Sequence, residues 1–233
     1  MTEQLFRDDA YLRECDANVV ASGKGVIILN RTVFYPMGGG QPGDIGTIEW
    51  RGGSATIIDT RYGENGRISH LVEESEQIPA AGTAVIAQID WERRYKHMRM
   101  HTALHLLGSI LQYGVTGGNI SAGKSRLDFD MEDTVDKEHV NKKLVELVTA
   151  DHDVSCRWIT DEELEAQPEL VRTMSVRPPK GVGKVRLLEI EGVDLQPCGG
   201  THLRSTAEVG RVSIGKVEKK GRRNRRVNIL LDQ

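Results

Sequence analysis

The chain is poor in cysteine, with 3 among its 233 residues and no regular spacing. An odd, scattered set excludes a disulfide framework and leaves the thiols available to a metal. No apolar run approaches the roughly 18 residues of a spanning helix, so no membrane segment is expected. The N-terminus, Met1-Thr2-Glu3-Gln4-Leu5-Phe6-Arg7-Asp8-Asp9, has no basic stretch ahead of an apolar core. That argues against a secretory signal and for a cytoplasmic protein. A large excess of one charge is missing too. The net charge of −3 excludes a uniformly basic nucleic-acid coat and leaves room for a local basic patch. No internal repeat and no low-complexity segment interrupts the chain. What remains is an ordinary globular composition, 38% hydrophobic and 28% charged, long enough for one large domain or two small ones.

The first ninety residues read as β-structure. Val26-Ile27-Ile28-Leu29 follows the turn residues Ser22-Gly23-Lys24-Gly25, which predicts a hairpin with the segment around Val19-Val20. Further short apolar runs at 45–50, 55–59, 68–72 and 85–89 are separated by Gly52-Gly53 and Gly63-Glu64-Asn65-Gly66. Short strands with turns between them predict a small barrel or sandwich over residues 1–90. Near Asp90 the character changes. Residues 91–112 lose their turn formers and carry Met100, Ala103, Leu104, Leu107, Ile110 and Leu111 at helical spacing, and Gly114, Gly117 and Gly118 end the run. A second helix is predicted over 137–150, with strands at 154–159, 185–190, 209–214 and 227–231. Residues 91–233 are therefore expected to form an α+β domain, and the whole chain is α+β.

Two stretches stand out chemically. The first is Phe34-Tyr35-Pro36-Met37-Gly38-Gly39-Gly40-Gln41-Pro42-Gly43-Asp44, where three glycines between prolines cannot form the interior of a strand or helix. It reads either as a plain surface loop or as a loop whose bare amides approach a ligand, with Gln41 adding a polar side chain. No Gly-Lys-Ser/Thr follows these glycines, so it is not a P-loop. The second is Cys198-Gly199-Gly200-Thr201-His202, a thiol and an imidazole on a flexible turn. His101 and His105 lie four apart, on one face of the predicted helix. His97 shares that face, so the pair is His97 with His101 or His101 with His105. Two histidines joined to the Cys198/His202 pair make a zinc-type His3Cys set. Four protein donors would close a tetrahedral site, which is the habit of structural zinc.

Taken together, four segments resemble the free-standing alanyl-tRNA editing proteins, which are similar to the editing domain of alanyl-tRNA synthetase. They are the loop 34–44, the stretch Arg99-Met100-His101-Thr102-Ala103-Leu104-His105, the stretch Thr173-Met174-Ser175-Val176-Arg177-Pro178-Pro179, and residues 198–202. The resemblance spans about Val26 to Val227 and implies the longer type, with a small N-terminal β-barrel before the α+β editing domain. It assigns one zinc ion to His101, His105, Cys198 and His202 and leaves His97 a bystander. It implies that Thr32, just before Phe34-Tyr35-Pro36, recognises the hydroxyl of a misattached serine. The family's glutamine after the first helix is missing from Gly118-Asn119-Ile120-Ser121-Ala122-Gly123.

The implied activity is zinc-dependent hydrolysis of the ester on mischarged alanine tRNA, with serine or glycine as the wrong amino acid. Thr32, Gly39, Gly40 and Gln41 are the expected substrate-handling residues. The run 216–226 holds a dense set of cations, and Arg222, Arg223, Arg225 and Arg226 are the expected tRNA contacts, with Lys180, Lys184 and Arg186 as possible additions. No HExxH motif supplies a general base. Competing readings are a zinc amidohydrolase on a small substrate and a tRNA-binding module with structural zinc.

Overall fold

One long strand organises the first half of the chain. The order there is β1 (Glu3–Gln4), β2 (Glu14–Gly23), β3 (Val26–Leu29), β4 (Arg31–Thr32), β5 (Gly46–Trp50), β6 (Gly53–Ile57), β7 (Asp59–Tyr62), β8 (Ile68–Leu71) and β9 (Ala84–Ile89). In this computed structural model, residues 1–73, 77–174 and 183–231 are described. β2 pairs with β9 through Glu14–Asn18 and with β3 through Val19–Gly23, with a register shift between Val19 and Ala21. Lys24 and Gly25 both have positive φ, the two-residue turn that suits the twist of a tight hairpin.

Seven strands form one sheet in the order β6-β5-β9-β2-β3-β8-β7. Alternate residues of β2, β3, β5, β6 and β9 point to one side and bury Ala17, Val19, Ile27, Leu29, Ile48, Ala55, Ile57, Val85, Ala87 and Ile89 around Val33 and Phe34. The expected barrel is not closed: the edge strands β6 and β7 do not pair with each other among the described residues. Only Ile58 lies between them, too short a connection for a hairpin, and its amide donates to Leu71 of β8. The chain thus passes from one arm of the sheet to the other at that residue.

The rest of the chain comprises α1 (Trp91–Leu111), β10 (Val115–Asn119), β11 (Lys124–Asp130), α2 (Lys137–Thr149), β12 (Val154–Ile159), α3 (Asp161–Glu165), β13 (Val185–Ile190), β14 (Asp194–Pro197), β15 (Val212–Gly221) and β16 (Asn224–Leu231). By contacts the chain divides into two compact units, Met1–Tyr95 and Lys96–Gln233. The Asp90 carboxylate accepts from the Arg93 amide at the start of α1, and Gln112, with φ of 48°, ends it. α1 is buried on every side from Met100 to Gly108. That makes it a central helix and not the one-faced surface helix its apolar spacing suggests.

The second unit carries two antiparallel sheets, β10-β11-β16-β15 and β12-β13-β14, and α1 meets the latter where His105 bonds Asp194 of β14. Asp136 caps α2, and Asn141 on that helix accepts from the Ile214 amide of β15. The strand expected at 209–214 starts later, because Thr206–Val209 form a 3-10 turn capped by Ser205. Gly118 to Ser125 have the Gly-x4-Gly-Lys-Ser spacing of a phosphate loop. They join two antiparallel strands and do not open a helix, so the amide cradle of that motif is missing. The architecture is mixed α and β, mostly strand, with three α-helices among the described residues.

Candidate metal centre

His101 and His105 sit one turn apart on the buried stretch of α1, at 7% and 8% exposure. Cys198 follows directly on β14: its amide donates to the Arg186 carbonyl, which continues the ladder with β13. Arg186 itself is buried, and its Nη1 donates to the carbonyls of Cys198 and Gly200 at 3.1 and 2.9 Å. It fixes the glycine turn from behind, so the surface phosphate contact expected of Arg186 is not available. His202 returns from that turn. One donor atom from each of His101, His105, Cys198 and His202 lies within 4.8 Å of the other three.

The donors fit a metal. Sγ of Cys198 stands 3.5 Å from Nε2 of His101 and 3.2 Å from Nε2 of His202. A tetrahedral ion with bonds of about 2.0–2.3 Å has donor–donor edges of about 3.5 Å. Nδ1 of His202 faces Thr102 Oγ1 at 3.3 Å, and Nδ1 of His105 faces Asp194 Oδ2 at 2.9 Å, which leaves each Nε2 for the centre. Burial opposes ionisation of Cys198, yet the charges of His101 and His202 hold its thiol well below the ordinary range. Burial lowers His202, and the charge on His101 lowers it further. Burial alone would also lower His105, but Asp194 and then Cys198 push it up to about 9. A thiolate among imidazoles is a donor set for zinc-like ions, and binding one would expel the protons these groups share.

His97 is buried on the same helix and lies outside the cluster. Asp194 and Gln196, which sequence reading passed over, belong to the site. Asp194, Gln196 and Cys198 alternate along one strand face, and that spacing beside a suspected ligand was the signal available.

The glycine loop is tighter than a long mobile loop. Gly38 and Gln41 exchange backbone hydrogen bonds at 3.1 and 2.9 Å, with Gly39 and Gly40 at positive φ between them. The tip is exposed, while the Gln41 side chain is buried. Thr32 is fully buried. His70 Nδ1 donates to the Ile27 carbonyl at 3.0 Å, so its Nε2 accepts from the Thr32 hydroxyl at 2.8 Å. Thr32 Oγ1 also accepts from the Phe34 amide, which leaves it one lone pair.

The four arginines separate into two pairs. Arg222 and Arg223 are exposed, at 90% and 67% of their side-chain surface. Arg225 is buried and caps the carbonyls of Gly221, Arg222, Asn224 and Glu132. Arg226 makes a two-pronged ion pair with Asp128 at 2.8 and 2.9 Å. Lys184 is exposed, whereas Lys180 and the motif residues 175–179 lie outside the described residues.

Comparison with known proteins agrees with this layout. The family model for class II (A) tRNA synthetases matches residues 6–93, and that for the threonyl and alanyl tRNA synthetase second additional domain matches residues 185–228. The alanyl-tRNA editing protein AlaX-M of Methanosarcina mazei is 37% identical, covering 100% of this chain and 98% of its own length. The alanyl-tRNA editing protein AlaX-L of Pyrococcus horikoshii is 35% identical over 95% of this chain and 56% of its own. An alanine–tRNA ligase of Pyrobaculum neutrophilum is 36% identical over 94% of this chain, but only 25% of that enzyme is covered. The chain belongs to the alanyl-tRNA editing protein family.

Proposed function

We propose that this chain is a trans-editing deacylase, a hydrolase that removes a wrong amino acid from alanine tRNA, serine foremost and glycine second. One zinc ion is held by His101, His105, Cys198 and His202. The observation that carries the reading is the convergence of these four donors in a buried cluster, in a chain whose full-length relatives are alanyl-tRNA editing proteins.

The chemistry explains the need for such an enzyme. A pocket for alanine discriminates against one added hydroxyl or one missing methyl by only ~1–3 kcal/mol, so a second sieve is required. A site that hydrogen-bonds the serine hydroxyl rejects alanine, because alanine leaves the polar partner unpaired. The family resemblance assigns that task to Thr32, whose buried Oγ1 bonds His70 and the Phe34 amide. Zinc, when bound, supplies positive charge and Lewis acidity at the ester. The exposed backbone at Gly39 and Gly40 is assigned to the terminal nucleotide or the developing oxyanion, with Gln41 closing the turn behind it. Arg222 and Arg223 are assigned to phosphates along the tRNA.

The test is incubation of serine-, glycine- and alanine-charged alanine tRNA with the zinc-loaded protein. Serine is released fastest and alanine is spared. The Cys198→Ala variant loses both the bound zinc and the release. Retained activity in a zinc-free preparation of that variant overturns the reading.

The closed set of four protein donors favours one second reading, a tRNA-binding module with structural zinc. Tight tRNA binding without release of any amino acid would establish it.

A further inference from the structure

Behind His105 the second unit carries a buried chain of polar groups that no ligand assignment uses. Asp194 is the hub, with its side chain 1% exposed. Its two oxygens have separate partners. Oδ2 accepts from His105 Nδ1 at 2.9 Å and from Gln196 Nε2 at 2.6 Å. Oδ1 faces Arg172 Nη1 at 3.3 Å. That ion pair is Coulombic, because the Arg172 N–H is not aimed along it. Arg172 comes from a segment laid against the edge of β10: the Val115 amide donates to the Arg172 carbonyl, and the Met174 amide donates to Val115. Three distant pieces of chain therefore meet at one carboxylate, whose Oδ2 is shared by His105 Nδ1 and Gln196 Nε2, themselves 3.0 Å apart.

We propose that Asp194 is the positioning residue of the metal centre, which fixes His105 as an Nε2 donor, and that Arg172 holds Asp194 in that role from the edge of β10. The inference rests on the metal-binding part of the proposed function. An ionised carboxylate only accepts hydrogen bonds, so a proton must lie on Nδ1 of His105, and the bare nitrogen is then Nε2, facing Cys198 and His202. The carboxylate also makes the imidazole a stronger donor, and groups placed in this way typically contribute 10–100-fold to metal affinity. With His105 serving as a metal donor, and so neutral, Asp194 without Arg172 would be an almost fully enclosed anion facing one imidazole and one amide, an arrangement that is costly in a dry site. The hub also explains why Asp194, Gln196 and Cys198 share one face of the strand. One residue supplies the metal donor, and the other two orient the neighbouring histidine.

The experiment is a zinc titration of the full chain against a competing chelator, for the unaltered protein and for Asp194→Asn, Asp194→Ala, Arg172→Met and the Arg172→Met/Asp194→Asn double variant. The ligand-field spectrum of the cobalt-loaded forms is recorded in parallel. The unaltered protein binds one ion. Asp194→Ala weakens binding about 10–100-fold and changes the cobalt spectrum. Asp194→Asn, whose amide oxygen still accepts from Nδ1, loses less and keeps the spectrum. Arg172→Met weakens binding several-fold, and adding it to Asp194→Asn costs little more, because the two share one pathway. If Asp194→Ala does not fold, the asparagine and methionine variants decide alone.

Zinc affinity within two-fold of the unaltered protein in every variant, with unchanged spectra, overturns the proposal and leaves the metal site standing. Additive losses in the double variant overturn the role of Arg172. No binding by the unaltered protein overturns this inference together with the metal reading.

Discussion

The hydroxyl of Thr32 donates to Nε2 of His70 across 2.8 Å, in a contact from which water is wholly excluded. The Ile27 carbonyl holds the other ring nitrogen, and the Phe34 and His70 rings stand in a T-shaped contact with centroids 5.2 Å apart. His70 is thus locked as the neutral tautomer, and burial lowers its pKa to about 4.

A pH dependence of stability follows. In the unfolded chain His70 titrates near its ordinary value of about 6.5. The folded value is depressed, so its contribution is fully present above pH 6.5 and is lost as pH falls through about 4. The loss is on the order of 3 kcal/mol, since each pKa unit is worth ~1.4 kcal/mol. Urea unfolding followed by tryptophan fluorescence between pH 7 and 4 should show this slope, and His70→Asn should flatten it.

Arg94 and Asp44 form a second buried polar pair, with side chains 0% and 1% exposed. Arg94 also donates to the carbonyls of Ala10 and Val33, and Asp44 accepts from the Tyr35 amide. The pair cinches the base of the glycine loop. Asp44→Ala leaves the guanidinium charge buried without its counter-ion and should cost about 3–5 kcal/mol in denaturant unfolding. The double change Asp44→Leu with Arg94→Met should cost markedly less, because it removes both charges.

The terminal arginines should behave as two classes. Alanine at Arg222 or Arg223 should weaken tRNA binding and reduce the salt dependence by about one unit of slope each, without changing stability. Alanine at Arg225 strips the cap from three backbone carbonyls at the β15–β16 turn and from that of Glu132, and should lower the melting temperature. Filter binding at several salt concentrations, set beside thermal unfolding, separates the two.

Glycines of the two chemical stretches should respond in opposite ways. A Cβ at Gly43 would stand 2.1 Å from the Thr60 carbonyl oxygen and 2.9 Å from its amide nitrogen, both backbone. Gly43→Ala should destabilise the first unit by at least about 1–3 kcal/mol. A Cβ at Gly199 meets nothing within 4 Å. Gly199→Ala should leave zinc affinity within about two-fold, and chelator competition measures it.

The cluster of His101, His105, Cys198 and His202 was only partly legible: scarce cysteine and histidine marked the helix and the turn, spacing left His97 and His105 as alternatives, and only the family resemblance chose between them. Asp194 was not, since one carboxylate among 34 acidic residues announces nothing until its strand partners are known. Arg186 read as a surface cation because charge type predicts exposure on average. Its burial is set by two carbonyls twelve and fourteen positions away. Most strands of the first unit were visible as short apolar runs. That their sheet stays open was not, because it depends on pairings between distant strands, such as the Ile58 amide with Leu71, that no local pattern announces. β10 was missed altogether, since Gly117 and Gly118 look like punctuation and yet lie inside an antiparallel pair. The resemblance to alanyl-tRNA editing proteins is borne out by relatives that match along the full chain.

The separation of the donor pairs along the chain has a consequence in time. His101 and Cys198 meet at the same centre from positions 97 residues apart. At a synthesis rate of about 5–20 residues per second, the histidine pair is made roughly 5–20 seconds before the thiol. During that interval α1 offers only imidazoles, so on the proposed reading an ion would meet its full donor set only after α1, α2, α3 and β10–β14 have been made.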